Sequence, residues 1–236
     1  MRPRLQLEQE LAAAGNPARA AHSAGFFKCG PGQYGEGDIF LGIPVPTQRR
    51  IALKYVALPL AEIERLLRSN IHEHRFAALE ILVAQYEAGD DAQRQTIFDC
   101  YLRNGPRANN WDLVDTSAPY IAGAHLLNRS RSPLRKLAKS ANLWERRIAI
   151  VATFAFIRAG ETAPTFQIAE LLLSDKHDLI HKAVGWALRE AGKKAKAGLV
   201  QFLREHYAQL PRTTLRYAIE RFTPAERERM LTAQFD

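Results

Sequence analysis

The sequence is poor in cysteine, has no long apolar run, and shows no convincing strand pattern. Cys29 and Cys100 are the two cysteines of 236 residues, and they stand too far apart for a C-x-x-C. Neither a disulfide framework nor a zinc ribbon is implied, which fits a reducing compartment. No stretch approaches the ~20 apolar residues of a membrane span. The opening MRPRLQLEQELAAAG is amphipathic and of mixed charge, without the apolar core of a secretory signal, so a cytoplasmic setting, the bacterial cytosol or nucleoid, is expected. Runs of alternating residues are missing, which argues against a sheet. A P-loop and a serine-centred nucleophile motif are missing too. The residues Gly30, Gly32 and Gly35 satisfy G-x-G-x-x-G literally. No apolar strand precedes them and no helix opens after them, so a dinucleotide site is not indicated.

What is present is helix and positive charge. Hydrophobic residues make up 47% of the chain, enough for a folded core, and 33 Lys and Arg against 25 Asp and Glu leave a net charge of +8. Such an excess favours an anionic partner. Helical periodicity dominates from residue 45 onward. Asn70 with Glu73, and Asn142 with Glu145, read as capping boxes; Thr223-Pro224 with Glu226 combines cap, first-turn proline and third-position acid. GPGQYGEGD, residues 30–38, carries four of the 14 glycines and is a loop, either a plain connection or one that lies along a nucleic-acid groove. The expected organisation is one domain over 1–236, with N-terminal helices and the loop in 1–44 and helical repeats in 45–236.

The chain repeats with a period near 35. Basic residues open similar apolar runs at Arg75, Arg147, Lys182 and Arg216, and the missing middle register falls on Trp111. This interval predicts an all-α, HEAT-like helical-repeat solenoid with the five positions along one concave face. A stripe of Arg75, Arg147, Lys182 and Arg216 in or near first helical turns suits phosphate, because helix N-termini and arginines both bind it. The bland alternative is that these cations pair with acids of neighbouring repeats. One turn after Trp111 lies Asp115, and one turn after Lys182 lies Trp186. A carboxylate among aromatics on a basic surface repels phosphate, so it needs another reason to be there. Trp144 reads as core. His177-Asp178-Leu179-Ile180-His181 imitates a zinc-binding helix, but no third ligand is evident, and no metal is expected.

The segments NNWDLVD (109–115), NLWERRIAI (142–150), IHKAVGWALRE (180–190) and FLGIPVPTQRR (40–50), in this order, resemble the AlkD family of DNA alkylation-repair glycosylases. The resemblance implies a HEAT-like fold that holds duplex DNA and excises cationic bases such as 3-methyladenine and 7-methylguanine, acting on sugar and backbone without flipping the base and without a cofactor. Trp111, Asp115, Arg147 and Trp186 match the family's active-site positions. Where some members carry a second tryptophan before W-D-x-x-D, Asn110 stands here. An aromatic of the second helix, a tyrosine in some relatives, falls on Phe26, and Phe26 and Lys28 are expected to contact DNA. The expected partner is double-stranded DNA containing alkylated bases, bound by a monomer. Two rivals are a DNA-structure-binding protein without catalysis and a protein-interaction scaffold.

Overall fold

The computed structural model describes residues 2–235 and is all-helical, with no β-strand among them. It divides into two compact units, Met1–Ala122 and Gly123–Asp236. Among the described residues no helix is long and apolar enough to cross a membrane.

The first unit holds α1 (Pro3–Ala13), α2 (Pro17–Phe26), α3 (Val45–Ala52), α4 (Leu60–Leu67), α5 (His72–Ala88), α6 (Asp91–Arg103) and α7 (Trp111–Ser117). The centre is α5, which packs against α1, α3, α4, α6 and α7. Its run FAALEIL is almost entirely buried, as expected of a helix apolar on all sides. By contrast, α2 buries none of its residues. Its capping residue Asn16 accepts from Arg19 N–H, and Asn16 N–H donates to the Leu41 carbonyl. Gly42 makes the close approach possible: its φ is +77°, and a Cβ there would lie 2.4 Å from Ala20 N and Asn16 O.

Asn70 does not cap α5. The residue before the helix is the extended Ile71. The Asn70 carbonyl accepts from Ile39 N–H, and the Ile39 carbonyl accepts from His72 N–H, forming one isolated parallel bridge. This pairing holds the chain extended one residue longer than the capping-box reading predicts. Asn142 and Thr223 do cap their helices, and Thr223 with Glu226 makes the full reciprocal box.

The second unit holds α8 (Ser132–Ala138), α9 (Leu143–Ala152), α10 (Phe154–Arg158), α11 (Ala163–Leu171), α12 (Asp178–Gly192), α13 (Lys196–His206), α14 (Arg212–Ala218) and α15 (Pro224–Leu231). The repeat is explicit here. Helix α9 packs on α12 and α12 on α14, while α8 and α11 pack on each other and on the same row. Gly185 lets α12 and α14 meet closely, since a Cβ at that position would come within 2.5 Å of Tyr217 Cβ and 2.7 Å of the Thr214 carbonyl. The residues Arg147, Lys182 and Arg216 are each the fifth residue of their helix. The sequence interval therefore marks a true register in this unit.

Candidate functional site

The W-D-x-x-D helix, α7, is only seven residues long, and its neighbours fix its position. Asn110 caps it, accepting from Trp111 N–H at 2.8 Å, and is wholly buried. A tryptophan at 110 could not supply that acceptor. In the first turn, His72 Nε2 meets Asp112 Oδ2 at 2.8 Å. One turn later, Thr116 Oγ1 donates to Glu80 of α5 at 2.9 Å and accepts from Arg49 of α3 at 3.0 Å. Ser117 Oγ donates to the Leu113 carbonyl, so Tyr101 OH donates to Ser117 at 2.9 Å. These tethers hold the flanks of the helix. Trp111 and Asp115 sit on it half-buried. The negative charge of Asp115 reaches Tyr101: burial pushes the Tyr101 phenol pKa well above its ordinary value, the Ser117 hydroxyl, which can turn to donate to the phenolate, opposes the rise, and the Asp115 charge adds to it.

Trp111 joins an aromatic cluster. Its ring stacks on Phe27 with centroids 5.2 Å apart and 27° between planes, and Phe26 lies edge-on at 5.9 Å. Phe27 also stacks on Phe40 at 5.1 Å. Phe26 is 56% exposed at the end of α2, a large uncovered aromatic beside the candidate carboxylate helix. Lys28, two residues on, is exposed and has a φ of +56°. Its carbonyl accepts from Gly35 N–H, closing the first turn of the glycine-rich loop.

The phosphate stripe needs correction at Arg75. That side chain is 2% exposed, donating to Asp38 at 2.6 Å and to the Ser69 carbonyl at 2.8 Å. It is an internal anchor for the end of the glycine-rich loop. Its counterpart in the second unit is Arg146, which donates to the Ser140 carbonyl at 3.0 Å and to Asp175 at 2.5 Å. Each arginine lies six residues beyond the serine whose carbonyl it binds. Aligning Arg75 with Arg147 is therefore wrong by one residue, and one residue on a helix turns a side chain by about 100°.

In the second unit Arg147 is also buried, 5% exposed, and donates to the Leu179 carbonyl in the first turn of α12 at 2.8 Å. The same helix carries Lys182 and Trp186. Trp186 is half-buried with its ring 4.3 Å from Phe154. Lys182 is half-buried and ion-paired to Asp178 at 2.6 Å, a surface pair of the kind worth ~0–1 kcal/mol. Arg216 is exposed on α14. His177 caps α12 through Nδ1, accepting from Leu179 N–H, and His181 Nε2 contacts the Asp175 carbonyl at 2.5 Å. Both imidazoles of the zinc-like pattern are thus engaged in local structure.

The sequence reading missed the buried charges of the first turn of α5: His72 with its partners Asp38 and Asp112, and Glu73, which accepts from the backbone N–H groups of Leu41, Gly42 and Ile43. A signal was available. HEHR leads directly into an apolar run, and charges at the head of a helix buried on all sides need partners.

The family profile of the DNA alkylation repair enzymes matches residues 7–222. No curated protein matches the chain. Among solved structures, one from Enterococcus faecalis, described as a predicted DNA alkylation repair enzyme, is 17% identical with a TM-score of 0.69, and the match covers 89% of this chain and 97% of the other. At that identity the likeness speaks for the fold. With the profile spanning nearly the whole length, from α1 through α14, the chain belongs to the DNA alkylation repair enzyme family.

Proposed function

We propose that this repair protein is a DNA glycosylase that hydrolyses the N-glycosidic bond of cationic alkylated purines, such as 3-methyladenine and 7-methylguanine, in duplex DNA without flipping the base. The observation that carries the reading is Asp115: a half-buried carboxylate on a helix tethered along its length, four residues after a tryptophan that faces an exposed phenylalanine.

The chemistry follows from charge. Alkylation at a ring nitrogen makes the purine cationic, so the C1′–N bond breaks with its electron pair going to the base. The base leaves neutral and needs no proton. The sugar gains oxocarbenium character. A preorganised carboxylate stabilises that cation, and aromatic faces reinforce it. Water adds at C1′, and its proton passes to the Asp115 carboxylate or to solvent. Trp111, Asp115, Arg147 and Trp186 are the proposed catalytic set. Lys182, Arg216, Lys28 and Phe26 are the proposed DNA contacts. The protein would work as a monomer and needs no organic cofactor or metal for this step.

The test is Asp115→Asn, close to isosteric. Binding of undamaged duplex should be retained or slightly improved, since a negative charge facing a polyanion is removed. Single-turnover release of methylated base should fall by about 10²–10³. Normal binding with excision at the wild-type rate would remove Asp115 from catalysis. A wild-type protein that binds DNA but releases nothing would leave a non-catalytic DNA-structure reader, and one that binds no DNA a protein scaffold.

A further inference from the structure

The first turn of α5 concentrates buried charge that the excision chemistry does not use. Glu73 accepts from the backbone N–H groups of Leu41, Gly42 and Ile43. Arg75 holds Asp38. His72, 2% exposed, faces two carboxylates: Asp112 Oδ2 at 2.8 Å from Nε2, and Asp38 Oδ2 at 3.5 Å from Nδ1. Its ring stacks on Phe40 with centroids 4.5 Å apart and 22° between planes, and lies 5.1 Å from Phe27. Phe27 is the ring on which Trp111 stacks. The histidine thus reaches Trp111 by two routes, through the neighbouring Asp112 and through the Phe27 ring.

We propose that His72 is a positioning residue for the candidate active site: by bridging Asp38 at the end of the glycine-rich loop and Asp112 in the first turn of α7, it fixes the plane of the Trp111 ring. The proposal rests on the excision reading for its consequence in activity, though its geometric core does not.

The charge state follows from the surroundings. Neutral imidazole has one N–H, and here each nitrogen faces a carboxylate. The groups of this cluster are Asp38 from the loop, Asp112 from α7, and Glu73 and Arg75 from its own helix, with the Cys29 thiol near Asp38 and Arg75. That thiol is held neutral as burial and the Asp38 charge push its pKa up. Asp38, Asp112 and Glu73 against the Arg75 guanidinium leave an excess of negative charge, which an imidazolium reduces. The faces of Phe27 and Phe40 favour a cation as well. Burial by itself pulls the His72 pKa down; the hydrogen bond to Asp112 and the nearby Asp38 carboxylate outweigh it, leaving the pKa above the ordinary imidazole value. Losing that proton strips one carboxylate of its donor and loosens α7 from the loop.

Two variants of the full chain test this. His72→Gln keeps a neutral donor toward Asp112 and loses the charge; Asp38→Asn keeps His72 and removes one of its carboxylates. NMR follows the His72 ring and the Trp111 indole N–H across pH. Both should titrate with one midpoint, above the ordinary ~6.5, and Asp38→Asn should lower it by about one unit. On methylated duplex, His72→Gln should cut single-turnover excision about ten- to a hundredfold, keep the DNA Kd within about threefold, and flatten the alkaline fall of the wild-type rate. Titration of His72 at or below the ordinary value, or a Trp111 signal that ignores it, overturns the proposal. So does a His72→Gln protein that loses melting temperature and rate together with an unchanged pH profile, since that is a purely structural role. If His72→Gln does not fold, the Asp38→Asn titration decides. If the wild type releases no base, the glycosylase reading falls while the shared NMR midpoint still judges the positioning role.

Discussion

Replacing Glu73 by alanine should be among the most destabilising single changes in the first unit. The side chain is 1% exposed, so solvent screening does not dilute its interactions. Its carboxylate accepts from Gly42 N–H at 2.8 Å, Leu41 N–H at 2.9 Å and Ile43 N–H at 3.3 Å. Two of these are charge-assisted bonds of good length and the third is weak. Removing the acceptor leaves the two well-bonded donors unpaired at about 1–3 kcal/mol each, a gross loss of about 2–6 kcal/mol to which the third adds little. Part is regained because a carboxylate no longer has to be buried, so about 3 kcal/mol net is expected. For a chain of this size that lowers the melting temperature by about 6–12 °C. Glu73→Gln keeps one acceptor oxygen but turns an NH₂ group toward a donor, and about half the loss should remain. Thermal scans followed by far-UV circular dichroism give the shifts, and amide hydrogen exchange at residues 41–43 reports whether the loss is local. An alanine variant that melts within about 2 °C of wild type, with exchange at 41–43 still slow, would refute this account of how the loop is anchored.

The two arginines of the expected stripe should separate cleanly. Arg75→Ala leaves Asp38 buried without its 2.6 Å partner and should cost about 3–5 kcal/mol in stability. The salt dependence of DNA binding by the folded fraction should stay unchanged. Arg216→Ala, at an exposed position, should leave melting unaltered and reduce the salt slope of DNA binding by about one; equal slopes for both variants would reinstate Arg75 as a phosphate contact. Stability against pH has opposing contributions. The raised pKa of His72 gives stability fully present below ~6.5 and lost as pH rises through its folded value, whereas burial lowers the pKa of His74 and of His177, whose contributions are present above ~6.5 and lost as pH falls. The wild-type melting curve therefore mixes the three. The difference in melting temperature between wild type and His72→Gln should be largest near pH ~6 and shrink toward pH ~9, and a difference that grows with pH contradicts the assigned charge.

Much of the fold was legible because helix boundaries are local events. Asn142 and Thr223 make the side-chain bonds that their spacing from an acid foretells. Asn70 has the same spacing, yet its backbone was taken by a residue far away in sequence, Ile39, and no local rule anticipates such a partner. The candidate site was less legible for the same reason. Trp111 and Asp115 stand in a recognisable segment. The residues that hold their helix in place come from the glycine-rich loop, α3, α5 and α6, and only the folded chain brings them to it. Arg75 illustrates the limit most sharply. By sequence it opens an apolar run like the other basic residues of the repeat, and its burial follows from Asp38, contributed by a loop 37 residues earlier.

Measured from the residue before each helix, the repeat carries a sharper functional signal than the sequence interval suggested. The fifth helical position is Phe76 in α5, Asp115 in α7, Arg147 in α9, Lys182 in α12 and Arg216 in α14. The tryptophan at 111 lies four residues ahead of this register, and the carboxylate is what occupies it. The three helices of one packed row in the second unit, α9, α12 and α14, place a cation in that slot, and α7 places an acid there. Repeats diverge freely at solvent-facing positions, so a charge reversal alone is weak evidence. This one falls on the helix whose flanks are tethered through Asp112, Thr116 and Ser117 to α5, α3 and α6. A short helix of seven residues has little stability of its own. Buried ionic and hydrogen-bonded restraints on so short a segment are costly to assemble. Their assembly around α7 makes sense where a single side chain must be held to within a fraction of an ångström, and Asp115 is the side chain on that helix whose chemistry would need it.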